Sequence, residues 1–187
     1  MALELSGPGW VGKFPGSEST RDLKGAFRQK AENFITALRK AGAKVSVTSS
    51  FRPLERAYLM HWSYQIVKNG VDPAKVPARS GVNIEWNHPD PGESIEAARK
   101  MVQAFKISHL KTPPTLKSPY TDGLAVDLEI SWSGKLSILD GNGKTVEISS
   151  APRNGLNADL KKIGASYGVV KFLGGSKDKP HWSSDGH

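Results

Sequence analysis

Apolar residues recur at steps of three or four in the first part of the chain, which is the period of an amphipathic helix. One such stretch can be capped at Ser19 or Thr20 and stops at Gly42, where a glycine suits the left-handed conformation that follows many helices. A second follows Pro53, which suits a first helical turn, and stops at Gly70. The pattern therefore predicts two helices. The periodic positions of the first are Leu23, Phe27, Ala31, Phe34, Leu38 and Ala41.

The remaining segments divide between two further helices and several strands. Helices are predicted near residues 93–105 and 155–165, and the first of these places Ile95, Ala98, Met101, Val102 and Phe105 on one side. Alternating or short apolar runs indicate strands, with a hairpin turn at 140–143 where glycine and asparagine tolerate positive φ. The predicted strands are 43–48, 123–130, 135–139, 145–149 and 169–172.

This order of elements predicts an α+β fold, with a small antiparallel sheet and helices packed on one side. We expect one domain over residues 1–187, in which 1–18 form an arm anchored by Trp10, Val11 and Phe14. Residues 71–92 and 107–122 are rich in proline and are predicted to be long loops.

The amino-acid composition limits the kinds of catalytic and metal sites that this chain can form. The 187 residues include no cysteine, which excludes disulfides, thiolate metal sites and cysteine nucleophiles. The formal net charge of +8 predicts attraction to polyanions such as nucleic acid, anionic lipid or an anionic cell envelope. The basic residues are dispersed along the chain, so we expect no nucleic-acid partner. The first residues lack a basic segment followed by an apolar one, and no apolar run is long enough to span a bilayer. We therefore expect cytoplasmic synthesis without a signal peptide, and no transmembrane segment.

Two segments carry candidate chemistry. Asp178 precedes His181 by three residues, and Trp182 follows as an aromatic side chain that could wall a pocket. Upstream, a loop enters an apolar strand that carries Asp127, and a carboxylate in such surroundings needs a partner. Asp127 could cap a turn, pair with an arginine, or bind a metal.

The other histidines have simpler interpretations. His61 lies beside Met60 and Trp62 in a predicted helix, which favours a packed or hydrogen-bonded imidazole, and His109 is expected to face solvent. His88 lies in a rigid aromatic loop, where it could border a cleft or serve the structure alone.

Three motifs resemble those of a known family. Residues 118–127, SPYTDGLAVD, resemble the S-x-H-x-x-G-x-A-x-D signature of the zinc D-Ala-D-Ala carboxypeptidase and L-alanyl-D-glutamate endopeptidase family, which includes phage endolysins. Residues 178–182 match its second motif, and 49–53 match its upstream S-x-x-R segment. The order of the three is that of the family. The resemblance implies a Hedgehog/DD-peptidase-like fold, and the chain looks like a bacterial or prophage branch of the family.

The resemblance also implies roles for individual residues. Asp127 and His181 match zinc ligands, Asp178 matches the general base, and Arg52 matches the arginine that contacts substrate and stabilises negative charge. Ser118 matches a substrate-side hydroxyl, and Trp182 a bulky substrate-side position after the ligand. Three ligands leave zinc one position for water, whose proton an adjacent carboxylate can take.

One position departs from the family. Tyr120 stands where the family has its first zinc histidine, and a phenol ordinarily loses its proton only near pH 10 unless a metal draws it off. Three outcomes are open: Tyr120 binds as phenolate, an imidazole outside the motif such as His88 fills in, or zinc is not held firmly.

These observations lead to two hypotheses. The first is a zinc-dependent hydrolase of the peptidoglycan stem peptide, acting as a monomer at the bacterial cell wall or in the periplasm. The second is a catalytically silent or weakened family member that binds the cell wall, because Tyr120 replaces a zinc ligand. The sequence does not distinguish which peptide bond would be cut.

Overall fold

A computed structural model describes residues 2–175 and 178–187, which fall into two compact units. The helical unit is Met1–Gly16 with Arg52–Ser118, and the sheet unit is Ser17–Phe51 with Pro119–His187. The expectation of one domain over the whole chain stays a prediction. In chain order the elements are β1 (Glu4–Leu5), α1 (Gly25–Lys40), β2 (Lys44–Ser49), α2 (Leu54–Asn69), β3 (Ile84–Glu85), α3 (Pro91–Ala104), α4 (Pro119–Asp122), β4 (Ala125–Ser131), β5 (Leu136–Leu139), β6 (Thr145–Ile148), α5 (Ala158–Ser166), β7 (Val170–Lys171) and β8 (His181–Ser183).

The mixed helix and strand content confirms the predicted α+β class. Helices α1, α2, α3 and α5 lie where apolar periodicity placed them, although α1 begins at Gly25 because Ser19 caps a separate 3-10 turn, Thr20–Asp22. Gly42 has positive φ after α1, as predicted, and Gly70, the predicted stop of α2, also has positive φ. Strands β1, β3 and β8 and the one-turn helix α4 were not predicted.

The helical unit packs α2 and α3 around an aromatic core. Trp10 is buried there and Val11 and Phe14 pack against it, which confirms the predicted anchors of the N-terminal arm. The arm also pairs β1 with β3 in parallel. The prediction for Ile95 is wrong: this side chain is 42% exposed, and Ser94 and Ala97 lie on the buried side of α3 instead.

The sheet unit is built on an antiparallel sheet with strand order β2-β4-β8-β7, and β5 and β6 form a separate hairpin as predicted. Helices α1 and α5 supply apolar side chains to the core that covers one face of this sheet. The core side of β4 carries Val126, Leu128 and Ile130, and Asp127 alternates with them. The carboxylate therefore lies on the face of the sheet opposite the core.

An irregularity in β2 lies beside Asp127. Val47 pairs with Leu128 and Ser49 pairs with Asp127, so Thr48 is an extra residue on β2. Such bulges bend a strand and change the direction of nearby side chains.

Among the residues that the structure describes, no helix is both long and apolar enough to cross a membrane.

Candidate functional site

The turn that carries Tyr120 is closed by a glycine. Leu124 donates its N–H to the carbonyl of Pro119, and Gly123 donates to the carbonyl of Tyr120, which is the hydrogen-bond pattern of a Schellman helix end. Gly123 has φ +69°, and a Cβ at this position would lie 2.8 Å from Cγ of Lys24. The motif glycine is therefore required both by conformation and by space. The turn that it closes carries Tyr120 and leads into β4.

Asp127 and His181 are direct partners in the sheet. Asp127 on β4 lies opposite His181 on β8, and its other neighbour is Ser49 on β2. Opposite residues on adjacent antiparallel strands project to the same face, so the register alone brings the carboxylate and the imidazole together. The sequence prediction that these two residues share a site is consistent with this register.

The phenol of Tyr120 lies between these two groups. Its Oη donates a hydrogen bond to Oδ1 of Asp127 at 2.5 Å and lies 2.5 Å from Nδ1 of His181. The carboxylate oxygen and the imidazole nitrogen are 3.8 Å apart. The side chain of His181 is 4% exposed and that of Asp127 is 18% exposed, so the cluster is largely shielded from water. The rings of Tyr120 and Phe172 both pack edge-on against the imidazole.

The phenol proton of Tyr120 lies between two acceptors. Nε2 of His181 lies 3.0 Å from the carbonyl oxygen of His187, and because a carbonyl only accepts, Nε2 carries a proton. A neutral imidazole then has a lone pair on Nδ1, and the single phenol proton of Tyr120 is donated to Asp127. One proton therefore serves two acceptors, and a cation shared by Asp127 and His181 would satisfy both.

The donor spacing gives a second test of zinc. Two donors on one tetrahedral zinc ion, each bound at about 2.0–2.2 Å, lie roughly 3.3–3.6 Å apart. The separation of 3.8 Å between Asp127 and His181 is close to this range. The separations of 2.5 Å from Tyr120 are those of hydrogen bonds. Asp127 and His181 therefore fit a zinc pair. The oxygen of Tyr120 would have to release its proton and move about 1 Å farther from both groups to act as a third donor.

This set depends on the phenol. Within residues 2–175 and 178–187, no three side chains of the His, Cys, Asp and Glu types are grouped to hold a metal ion. A set of three donors is reached when Tyr120 is counted with Asp127 and His181. Tyrosine is a less usual zinc donor than histidine, because the phenol must first be deprotonated.

Asp178 lies at the margin of the cluster. Its Oδ2 is 3.9 Å from Nδ1 of His181, and its side chain is 43% exposed. A carboxylate in this position is close to the imidazole yet open to solvent. It can therefore exchange a proton with water or with a bound molecule.

The turn at residues 183–187 holds the far side of the imidazole. Oγ of Ser183 accepts the N–H of Gly186, and the carboxylate of Asp185 accepts the N–H of His187. This turn brings the carbonyl of His187 to Nε2 of His181. A carbonyl on one ring nitrogen fixes the orientation in which the other nitrogen faces the site.

Lys171 is a residue of this site that sequence reasoning missed. It is 4% exposed, and its Nζ donates to the carbonyl oxygens of His181 at 2.8 Å and of Asp178 at 3.2 Å. Burial lowers the pKa of its ammonium to about 8, although the negative charges of Asp178 and Asp127 act in the opposite direction and raise this pKa. The only sequence signal was a lysine inside the short apolar strand 169–172.

Trp182 is corrected from a substrate contact to a core residue. Its side chain is 0% exposed and packs 5.3 Å from the ring of Phe34, and it lies opposite Val126 in the sheet. Because strand residues alternate between faces, the residue after His181 must point to the opposite side, into the core. The indole also approaches Gly164 so closely that a Cβ there would lie 2.6 Å from Cζ3 of Trp182.

The other predicted residues belong to the helical unit. Arg52 and Ser118 are partly buried. The pKa of Arg56 is lowered mainly by its burial and in second place by the positive charge of Arg52. Nε2 of His88 is hydrogen-bonded to Oγ of Ser6 within that unit. Their expected roles stay predictions.

Two histidines have the environments that the sequence suggested. Nδ1 of His61 is 2.7 Å from the carbonyl oxygen of Pro114, in the helical unit, and its ring packs edge-on against Trp62. His109 is exposed. These observations confirm a hydrogen-bonded His61 and a solvent-facing His109.

Comparison with known proteins gives no match to a family model and no matching curated protein.

Proposed function

We propose that this protein is a zinc-dependent hydrolase of the peptidoglycan stem peptide, in a Hedgehog/DD-peptidase-like fold. The observation that carries the proposal is the convergence of Tyr120, Asp127 and His181, with Asp178 beside the imidazole. This cluster is built from two segments, S-x-Y-x-x-G-x-A-x-D and D-x-x-H. The last residue of the first, Asp127, lies 51 positions before the first residue of the second, Asp178. Their resemblance to the zinc peptidase motifs supports the choice of reaction and substrate.

In this proposal Asp127, His181 and the phenol oxygen of Tyr120 hold the zinc ion. When bound, zinc supplies a Lewis acid that polarises the peptide carbonyl and makes water acidic enough to attack near neutral pH. The carbonyl of His187 keeps Nδ1 of His181 directed at the site. Asp127 supplies the anionic donor, which favours a divalent cation over the single proton of the phenol.

Asp178 is the general base. Its exposed carboxylate takes a proton from the attacking water while the water oxygen adds to the peptide carbonyl carbon. The protonated carboxyl then gives that proton to the leaving nitrogen as the C–N bond breaks, so Asp178 ends as a carboxylate again. Its position 3.9 Å from the imidazole keeps it next to the reacting groups.

Arg52 and Ser118 enter the proposal through the resemblance alone. A guanidinium suits a peptide carboxylate or a developing oxyanion because it presents several donors with a permanent charge. A serine hydroxyl suits a polar group of the same substrate. Replacing Arg52 with Met is expected to raise KM or lower kcat without changing zinc content.

The test is digestion of purified muropeptides by zinc-loaded protein, followed by mass spectrometry. We expect zinc-dependent products that each gain one water across a peptide bond. The Asp178→Asn variant is the matched control, and it should keep zinc but lose most of the rate, by about 100-fold or more. Absence of any new product with every divalent metal tried would rule out the hydrolase.

A second function has one specific observation in its favour. The hydrogen-bond distances of Tyr120 to Asp127 and His181 show that the phenol can link these two groups through hydrogen bonds alone. A protein with this hydrogen-bonded cluster would bind stem peptides at the cell wall without cutting them. Sedimentation with insoluble peptidoglycan in the presence of a chelator separates the two: retained binding together with no hydrolysis favours the binding module.

A further inference from the structure

Lys171 places a buried ammonium against the backbone of the D-x-x-H segment. It lies on β7 opposite Trp182 of β8, and its side chain is almost wholly removed from solvent. Burying an ammonium is costly unless it is hydrogen-bonded. Here Nζ makes two charge-assisted hydrogen bonds, to the carbonyls of Asp178 and His181. The sheet unit therefore keeps a lysine where an apolar residue would be expected in the strand.

The two carbonyls belong to the two chemically important residues of the segment. Asp178 precedes His181 by three positions, and one nitrogen atom holds both backbones, at 3.2 Å and 2.8 Å. The side chain of Asp178 is 43% exposed, so its backbone anchor limits how far the carboxylate can move from the imidazole. Lys171 also lies close enough to Asp178 and Asp127 for their charges to act on its ammonium.

We propose that Lys171 is a positioning residue, whose ammonium joins the carbonyls of Asp178 and His181 and so holds the general base beside the imidazole ligand. This inference rests on the proposed hydrolase function. Lys171 acts through the backbone of the segment and does not itself touch the reacting atoms. The cation on the segment also offsets part of the negative charge of two carboxylates in one small site.

The test compares Lys171→Met with Lys171→Arg and with Lys135→Met. Methionine keeps the length of the side chain and removes the donors, whereas arginine keeps a cation with donors. Lys135 is the control, since it is an exposed lysine of the same unit that pairs with Glu147. Three quantities are measured: amide hydrogen exchange at Asp178, Lys179 and His181 without metal, the zinc dissociation constant, and kcat separately from KM.

We expect Lys171→Met to speed exchange at these amides by about tenfold and to lower kcat by about tenfold or more, with KM nearly unchanged. Lys171→Arg should recover part of both effects, and Lys135→Met should match the wild type. Wild-type exchange together with wild-type kcat in Lys171→Met would overturn the proposal. If this variant does not fold, Lys171→Gln replaces it, because glutamine removes the charge and is too short to reach both carbonyls. Its exchange and kcat should change in the same direction, and wild-type values of both would overturn the proposal.

The exchange measurement separates this inference from the proposed function. If the wild type cuts no muropeptide but Lys171→Met still speeds exchange at Asp178 and His181, the hydrolase proposal fails and the hold of Lys171 on this segment is retained. If the wild type is active and the segment exchanges equally in both proteins, only the proposed role of Lys171 fails.

Discussion

Asp127 and His181 face each other across β4 and β8, with Oδ1 and Nδ1 3.8 Å apart. This pairing is set by strand register, because both side chains project from the same face of the sheet. A shift of one residue in either strand would send its side chain into the core. The position of the candidate metal site is therefore fixed by the backbone hydrogen bonding of the sheet unit.

Replacing Asp127 with Asn tests whether its charge is needed. The amide keeps the shape of the side chain but lacks the anionic oxygen that a divalent cation prefers, so zinc affinity should fall by about 100-fold. Equilibrium dialysis against a chelator measures this change. Glu129→Gln, two residues along the same strand and exposed, should bind zinc as the wild type does. Equal affinities for all three proteins would remove Asp127 from the ligand set.

The Tyr120→His variant tests the position at which the sequence differs from the zinc peptidase motif that it resembles. An imidazole binds zinc without having to lose a proton first, whereas the phenol must release one. We expect zinc affinity to rise by about tenfold or more and muropeptide hydrolysis to increase. Unchanged affinity and rate would indicate that the phenol serves as well as an imidazole at this position.

Gly123 connects stability to the position of Tyr120. Alanine at this position would combine positive φ with a Cβ 2.8 Å from Cγ of Lys24, so unfolding should become easier by about 1–3 kcal/mol. Gly134 has φ +67° with no atom near its Cβ position, which makes Gly134→Ala a control for the backbone cost alone. Urea denaturation should show the larger loss for Gly123→Ala. A loss equal to that of the control would mean that the crowding is relieved.

Trp182 can be separated from the substrate by comparing two core tryptophans. Trp182→Phe and Trp132→Phe both shorten buried side chains of the same core, so both should lower the melting temperature. Full truncation of either tryptophan to alanine should cost about 3–5 kcal/mol. Neither phenylalanine variant should change the affinity for a muropeptide. A specific loss of affinity in Trp182→Phe would restore its expected role as a substrate contact.

Local sequence patterns predicted the larger elements. Helical periodicity identified α1 and α2, and glycines with positive φ ended both where expected. Strand β4 could be predicted because it carries a buried run around Asp127. The missed strand β8 has only three residues, and its pairing with β4 depends on long-range register that no local pattern reveals.

The same limit applies to the candidate site. The resemblance to the zinc peptidase motifs drew attention to Asp127 and His181, because each motif is a continuous segment of the sequence. Lys171 contacts the site through tertiary hydrogen bonds, and Trp182 is buried because β8 is a strand. Neither fact follows from the residue type. The contacts of the Tyr120 phenol with both Asp127 and His181 also depend on tertiary structure and could not be predicted from the sequence.

In the proposed hydrolase, the phenol oxygen of Tyr120 completes a zinc set with Asp127 and His181. The most direct measurement is the zinc dissociation constant of the wild type and of Tyr120→Phe, which removes only the oxygen. Tyr167→Phe is the matched control, because its phenol donates to the carbonyl of Leu139 in the same unit. We expect tight binding of one zinc ion by the wild type and the control, and affinity weaker by about tenfold or more in Tyr120→Phe. Equal zinc affinity in Tyr120→Phe and the wild type would contradict this expectation.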